Sequence, residues 1–220
     1  MQSQKSDVAV CFALAEEAGP FRKIRGEKVP VFLTGIGRKN AENATHEFLA
    51  GHTPSLLMTC GFAGGLAPEM KIGDVIFEIP GRADVPGDPL TAIRSRLIDA
   101  GAKEGKIFCA DRIATTAADK RRLREETGAD AAEMESGAVQ AVCAARRIPC
   151  VTVRVISDTA GRDLPLDFNQ FLTENKTLDM SRLMITVAKS PWKMGALMEL
   201  QKNTKLAAQR LAEALVKALV

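Results

Sequence analysis

Short apolar runs recur at 8–13, 29–33, 55–59, 75–79, 106–110 and 149–156. Their apolar side chains fall on consecutive residues, not alternate ones, which suits strands covered on both faces. The stretches between them, at about 38–51, 89–102, 116–127 and 135–147, have helical composition. Strand and helix alternate, so the chain predicts an α/β fold: a single domain with a central mixed, mostly parallel sheet flanked by helices. At 220 residues and 46% hydrophobic it can bury one substantial core without staples. Beyond residue 165 the pattern changes to successive helical segments, with breaks at Lys176, Lys189 and Pro191. The expected organisation is one domain over 1–220, with 173–220 as a helical C-terminal extension.

Composition excludes several functions. Lysine and arginine total 30 against 27 acids, a formal charge of only +3, far from the concentrated positive field of a dedicated nucleic-acid binder. Aromatics are 5% with no tyrosine, which also argues against stacking platforms for single strands. Cys11, Cys60, Cys109, Cys143 and Cys150 lie mostly in apolar runs and form no C-x-x-C pair, so they read as reduced core residues of a cytoplasmic protein. His46 and His52 have no cysteine cluster beside them, and no metal site is expected. Lys5 and Asp7 precede any apolar stretch, so no secretory signal is expected, and no window of about 18 apolar residues suggests a membrane span.

Open α/β sheets bind ligands at the carboxyl ends of their strands. The residues just past each run are Glu16 and Glu17, then Gly35, Gly37 and Arg38, then Gly61, Gly64 and Gly65, then Asp111, and last Ser157 and Asp158. Glu133, Met134 and Glu135 precede the last run. Carboxylates and glycine turns thus gather at one sheet edge. The glycines fit neither a P-loop, since Leu66 and Ala67 follow where Lys-Ser/Thr would stand, nor a dinucleotide fingerprint, so no cofactor is expected. Read as a strand-to-loop turn, 61–65 would let a ligand approach the backbone closely.

Each acid has a second reading. Glu133 and Glu135 suit the first turn of a helix through its dipole, although Ser136, Gly137 and Ala138 would let a ligand come close. Asp158, emerging from a buried strand, is either a helix cap or a catalytic acid. Glu17 is either functional or in the solvated first turn of a helix broken by Gly19 and Pro20. Arg154, inside an apolar run, reads as an internal ion-pair partner.

The ordered set of Ala15-Glu16-Glu17, Gly35-Ile36-Gly37, 59–68 with its three glycines, Lys71-Ile72-Gly73-Asp74, Glu133-Met134-Glu135 and 153–158 resembles the nucleoside phosphorylase/nucleosidase superfamily. Over about 8–172 it is most similar to the 5′-methylthioadenosine/S-adenosylhomocysteine nucleosidases. The resemblance implies cleavage of a purine N-glycosidic bond through an oxocarbenium-like ribose. It makes Asp158 the acid toward purine N7, Glu17 the group that activates water, and Glu135 the acceptor of ribose hydroxyls, with Met134 packing beside the sugar and Glu133 also on the substrate side. Phe168 matches the aromatic near the 5′ substituent. A homodimer is implied as well.

Departures from that pattern bear on substrate and nucleophile. Phe62 stands where the nucleosidases have serine, and Ile113 where they have an aromatic over the base; the 79–89 stretch is short where they carry a longer loop at the dimer contact. Many phosphorylases of the superfamily grip phosphate with arginine and serine where this chain has Thr59 and Phe62, which favours water, while Arg38 and Lys39 offer an alternative phosphate site. The expected activity is hydrolysis of a 5′-substituted adenosine. Phosphorolysis and non-catalytic nucleoside binding are the alternatives. The tail, from Pro191-Trp192 through Leu211, Leu215 and Leu219, resembles those of hopanoid-associated nucleoside phosphorylases. Its spacing fits a helix packed on the domain, with peripheral lipid contact as the other reading.

Overall fold

A computed structural model describes residues 8–25, 28–80, 88–171, 173, 181–182, 185–186 and 191–219. The elements run β1 (Val8–Phe12), α1 (Ala15–Arg25), β2 (Val31–Leu33), α2 (Arg38–Gly51), β3 (Leu56–Gly65), β4 (Val75–Glu78), α3 (Pro89–Asp99), β5 (Lys103–Glu104), β6 (Ile107–Cys109), α4 (Ala117–Thr127), β7 (Ala131–Glu133), α5 (Ser136–Ala145), β8 (Cys150–Asp158) and α6 (Met194–Ala218). Strands lie in the order β2-β1-β3-β8-β4-β5. The β1, β2, β3 and β8 strands are mutually parallel, and β4 turns antiparallel against β8. The sheet is therefore mixed and mostly parallel, as the alternation of runs implied.

Consecutive residues of the central strands enter opposite layers, because strand side chains alternate faces. Val10, Phe12, Met58 and Val153 join one core with Phe21 of α1 and with Leu211 and Leu215 of α6; Cys11 and Leu57 join another with Val139, Val142 and Cys143 of α5. This is why the runs are apolar throughout.

Four local features depart from the sequence expectations. Helix α1 continues through Gly19 and Pro20, because Ala18 and Phe21 are fully buried and α1 packs along α6, which outweighs the hydrogen bond lost at proline. The glycines Gly61, Gly64 and Gly65 lie within β3, since β8 pairs with it through Gly64 and β7 pairs with Gly64 and Gly65. Strand β7 was not anticipated: Ala131, Ala132 and Glu133 are too few, and too poor in β-branched residues, to give a strand signal. Glu133 accordingly ends a strand, not a helix turn. Lys176, Lys189 and most of the 79–89 loop lie outside the described residues.

Among the leucines of the tail, Leu211 and Leu215 are fully buried and Leu219 packs against the same core. They form packing surface, so they are not free for a lipid face. Leu206 remains exposed, with Trp192, Met194 and Met198 toward the start of α6. Among the described residues no helix is long and apolar enough to cross a membrane. Leu211→Ala is expected to lower stability by about 2–5 kcal/mol, the usual range for a buried leucine truncation. Urea unfolding followed by circular dichroism measures it.

Candidate active site

Because β1, β3 and β8 are parallel, their carboxyl ends share one edge, and that edge opens on a cavity of about 220 Å³. Its walls include Glu17 just past β1, Phe62 and Gly64 on β3, Glu133, Met134 and Glu135 at the β7–α5 junction, Ser157 and Asp158 ending β8, and Ile113 and Phe168 from loops. Every one of the expected catalytic and nucleoside-contacting residues is there. Arg38 and Lys39 are not in the lining; the Arg38 guanidinium reaches the Cys109 carbonyl at 3.3 Å and Asp111 at 3.2 Å, in a pair exposed to solvent.

Glu17 is buried, and both its oxygens accept backbone N–H groups, Oε2 from Leu14 at 2.8 Å and Oε1 from Phe62 at 2.7 Å. Its approach to β3 requires glycine at 61, where a Cβ would lie 2.8 Å from Oε1. Burial pushes its pKa above the usual carboxylate range despite those two bonds and the charge of Arg154. Glu17 is thus a carboxylate made more basic by burial and held in the cavity wall by two backbone bonds. The solvated first-turn reading fails for it, because Glu16 takes the exposed position.

Beneath Glu135 lies a buried ion pair between Arg154 and Glu133. Oε2 of Glu133 accepts Arg154 Nε at 3.2 Å and Arg154 Nη2, and also the N–H groups of Glu135 and Ser136, each at 2.9 Å; Oε1 accepts the Ser136 hydroxyl at 2.6 Å. Burial works against its charge, but Arg154 and Ser136 outweigh it and hold the Glu133 pKa below normal. Burial opposes the Arg154 charge as well, and Glu133 and Glu135 outweigh it. With both oxygens engaged by the protein, Glu133 has little capacity left for a ligand.

Glu135 caps the start of α5 without a side-chain bond to its own helix; its Oε1 instead accepts the Gly37 N–H at 2.7 Å. Burial first and the charge of Glu133 second push its pKa up to about 7, against the pull of Arg154. Asp158 is bonded at Oδ1 by the Ser157 hydroxyl at 2.9 Å and ion-paired at Oδ2 with Lys120 at 2.5 Å. It caps no helix in the described structure, because the chain after β8 turns into loop. Gly64 makes room for it: a Cβ there would stand 3.3 Å from Oδ2.

Apart from Arg112, the remaining walls are apolar. Ile113 is clamped by Asn169, whose Oδ1 accepts its N–H at 2.9 Å and whose Nδ2 donates to its carbonyl at 3.0 Å. Phe168 lies edge-on to buried Phe171. Lys120, Arg112 and Leu200 were missed by sequence reasoning. Lys120 sits beside Arg121 and Arg122 in a charged helix, which reads as a solvated face. Arg112 follows Asp111 in a short loop, and Leu200 comes from a helix distant in sequence. Nothing local marks either one.

An α/β sheet with a carboxylate-rimmed cavity at its parallel strand ends defines the structural class. The chain belongs to the phosphorylase superfamily, whose family model matches residues 17–80 and 77–189. Among curated relatives, a 5′-methylthioadenosine/S-adenosylhomocysteine nucleosidase of Shewanella sediminis is 29% identical over 182 residues, covering 69% of this chain and 77% of the relative. An aminodeoxyfutalosine nucleosidase of Campylobacter jejuni is 26% identical over 176 residues, with the same coverage. Among solved structures, the futalosine hydrolase of Helicobacter pylori superposes with a TM-score of 0.69 at 18% identity, over 99% of this chain and 97% of that one. The methylthioadenosine/S-adenosylhomocysteine nucleosidase of the same organism gives 0.70 at 18% identity, over 100% and 99%. At these identities the superpositions establish the shared fold.

Glu135→Gln tests the electrostatics directly. A carboxyl whose pKa rises from 4.5 to about 7 on folding favours the folded state at acid pH and loses that contribution as pH rises through about 7. The neutral amide keeps an acceptor for Gly37 and has no charge to bury. Glu135→Gln is expected to be more stable than wild type by about 1–3 kcal/mol at pH 8, the difference shrinking as pH falls toward 4.5. Thermal melts across that range measure it.

Proposed function

We propose that this protein hydrolyses the N-glycosidic bond of a purine nucleoside, with a 5′-substituted adenosine as substrate. The observation that carries the proposal is the convergence of Glu17, Glu135 and Asp158, from three separate parts of the sequence, on one largely apolar cavity. The relatives, named as nucleosidases of adenosine derivatives and as a futalosine hydrolase, support it.

The reaction asks three things of a site. As the C1′–N9 bond breaks, its electron pair passes to the purine, positive charge grows on the ribose, and water bonds to C1′. Asp158 gives a proton to purine N7 so that the base leaves neutral. Glu17, made more basic by burial, takes a proton from the attacking water, and its two backbone bonds aim it. Glu135 accepts the ribose hydroxyls and its negative charge faces the cationic sugar. Met134 packs beside the ribose, Ile113 against the base and Phe168 near the 5′ group. Glu133 serves by fixing Glu135 and Ser136, a role set back from the nucleoside.

Water is favoured over phosphate because neither Arg38 nor Lys39 borders the cavity and Phe62, in its wall, brings no hydroxyl to grip an anion. A cytoplasmic homodimer belongs to the same proposal: the five free cysteines support a reducing compartment, the resemblance supports the dimer, and light scattering reads the oligomeric state.

A mass-resolved assay with adenosine, methylthioadenosine, S-adenosylhomocysteine and inosine, each with and without phosphate, tests the reaction. Free base with unphosphorylated sugar is the expected product. A sugar 1-phosphate identifies phosphorolysis, and tight calorimetric binding without any product identifies a binding protein. Asp158→Asn is expected to stay folded and lose about 10²–10⁴-fold in kcat, the range for removing a general acid; near-full turnover removes Asp158 from the mechanism.

A further inference from the structure

We propose that Lys120 is a positioning residue for the proton donor, locking Asp158 from behind the cavity and neutralising the carboxylate that remains once the proton has gone to the base. The inference rests on the hydrolytic reading above and concerns a residue that does not border the cavity.

Lys120 is 0% exposed, which is unusual for a lysine. Its ammonium has three donors, and three acceptors meet them: Asp158 Oδ2 at 2.5 Å, the Thr159 carbonyl at 2.8 Å and the Arg162 carbonyl at 2.9 Å. The arrangement is built from both sides. Helix α4 is started by Thr116, whose hydroxyl accepts the Asp119 N–H at 3.0 Å, and its first N–H, from Ala117, goes to Asp163 Oδ1 at 2.7 Å. The segment after β8 is pinned again by Leu164 N–H on the Thr115 carbonyl at 2.8 Å. Lys120 therefore ties the loop that follows Asp158 to the helix behind it.

The division of the Asp158 oxygens follows. Oδ2 is taken by Lys120, and Oδ1, touched by the Ser157 hydroxyl, is the oxygen left to carry a proton into the cavity. In the chemical step the C1′–N9 pair moves to the purine and N7 takes the Oδ1 proton. The negative charge created on Asp158 lies against an ammonium already in place, so no charge has to be reorganised at that moment. The proton collected by Glu17 from water returns through solvent and restores Asp158 for the next turnover.

A merely structural lysine would slow every substrate alike, whereas one acting through the acid matters only when the leaving group needs a proton. The test compares the purine nucleoside that the wild type cleaves with the 4-nitrophenyl riboside bearing the same 5′ group, whose phenolate departs unprotonated. Lys120→Met is expected to lower kcat for the nucleoside by about 10²-fold with KM within about threefold, and kcat for the nitrophenyl riboside by less than about threefold. In an Asp158→Asn background, Lys120→Met should add less than about threefold on either substrate. That double variant buries no unpaired carboxylate charge, so it decides the question even where Lys120→Met alone fails to fold. Equal losses on both substrates, or a further large loss in the Asp158→Asn background, overturns the inference while the hydrolase reading stands. Wild-type protein that cleaves no nucleoside overturns both.

Discussion

The Arg154–Glu133 pair is the interaction on which the cavity depends. A buried charge left single costs about 3–5 kcal/mol, so neither partner has an alternative position, and each locates what surrounds it. Arg154 sits within the central strand β8; Glu133 ends β7, added antiparallel to the tip of β3. Joined, they bind the β7–α5 junction onto the middle of the sheet. The Glu133 oxygen that binds Arg154 also accepts the N–H groups of Glu135 and Ser136, which would otherwise be unpaired at the start of α5. Glu135 is consequently free to face the cavity.

From that fixed point the other two carboxylates are placed by a shared device. Glu17 and Asp158 each press against β3, and at each contact the strand carries glycine. A side chain at 61 would meet the Glu17 carboxylate and one at 64 would crowd that of Asp158. Three carboxyls thereby share one cavity while differing in electrostatic setting: Glu17 dominated by burial, Glu135 by burial beside another acid, Asp158 by an ammonium.

Much of this was legible from the residues. The parallel sheet and the identity of the acids at its edge followed from uniformly apolar runs and from what stands just past them. Strand β7 was not legible, because two alanines and a glutamate carry no period. The glycines were recognised, but as a turn: their service to Glu17 and Asp158 becomes visible only once β8 and β7 lie alongside β3. Ile113 stands where the resemblance has an aromatic over the base; in the structure it borders the cavity, braced by Asn169. The leucines of the tail have the same spacing whether they cover a core or lie on a lipid surface, and only their burial against α1 and the sheet separates the two.

By itself the sequence determined the layer architecture, the strand edge that holds the site and the three carboxylates there, because side-chain periodicity and strand direction act locally along the chain. Tertiary structure alone decided which charges are paired: Arg154 with Glu133, Lys120 with Asp158, and Arg38 with Asp111. Electrostatic partners are fixed by distances of a few ångströms between segments remote in sequence, and burial sets how strongly each pair is held. Neither quantity is written in any local stretch of residues.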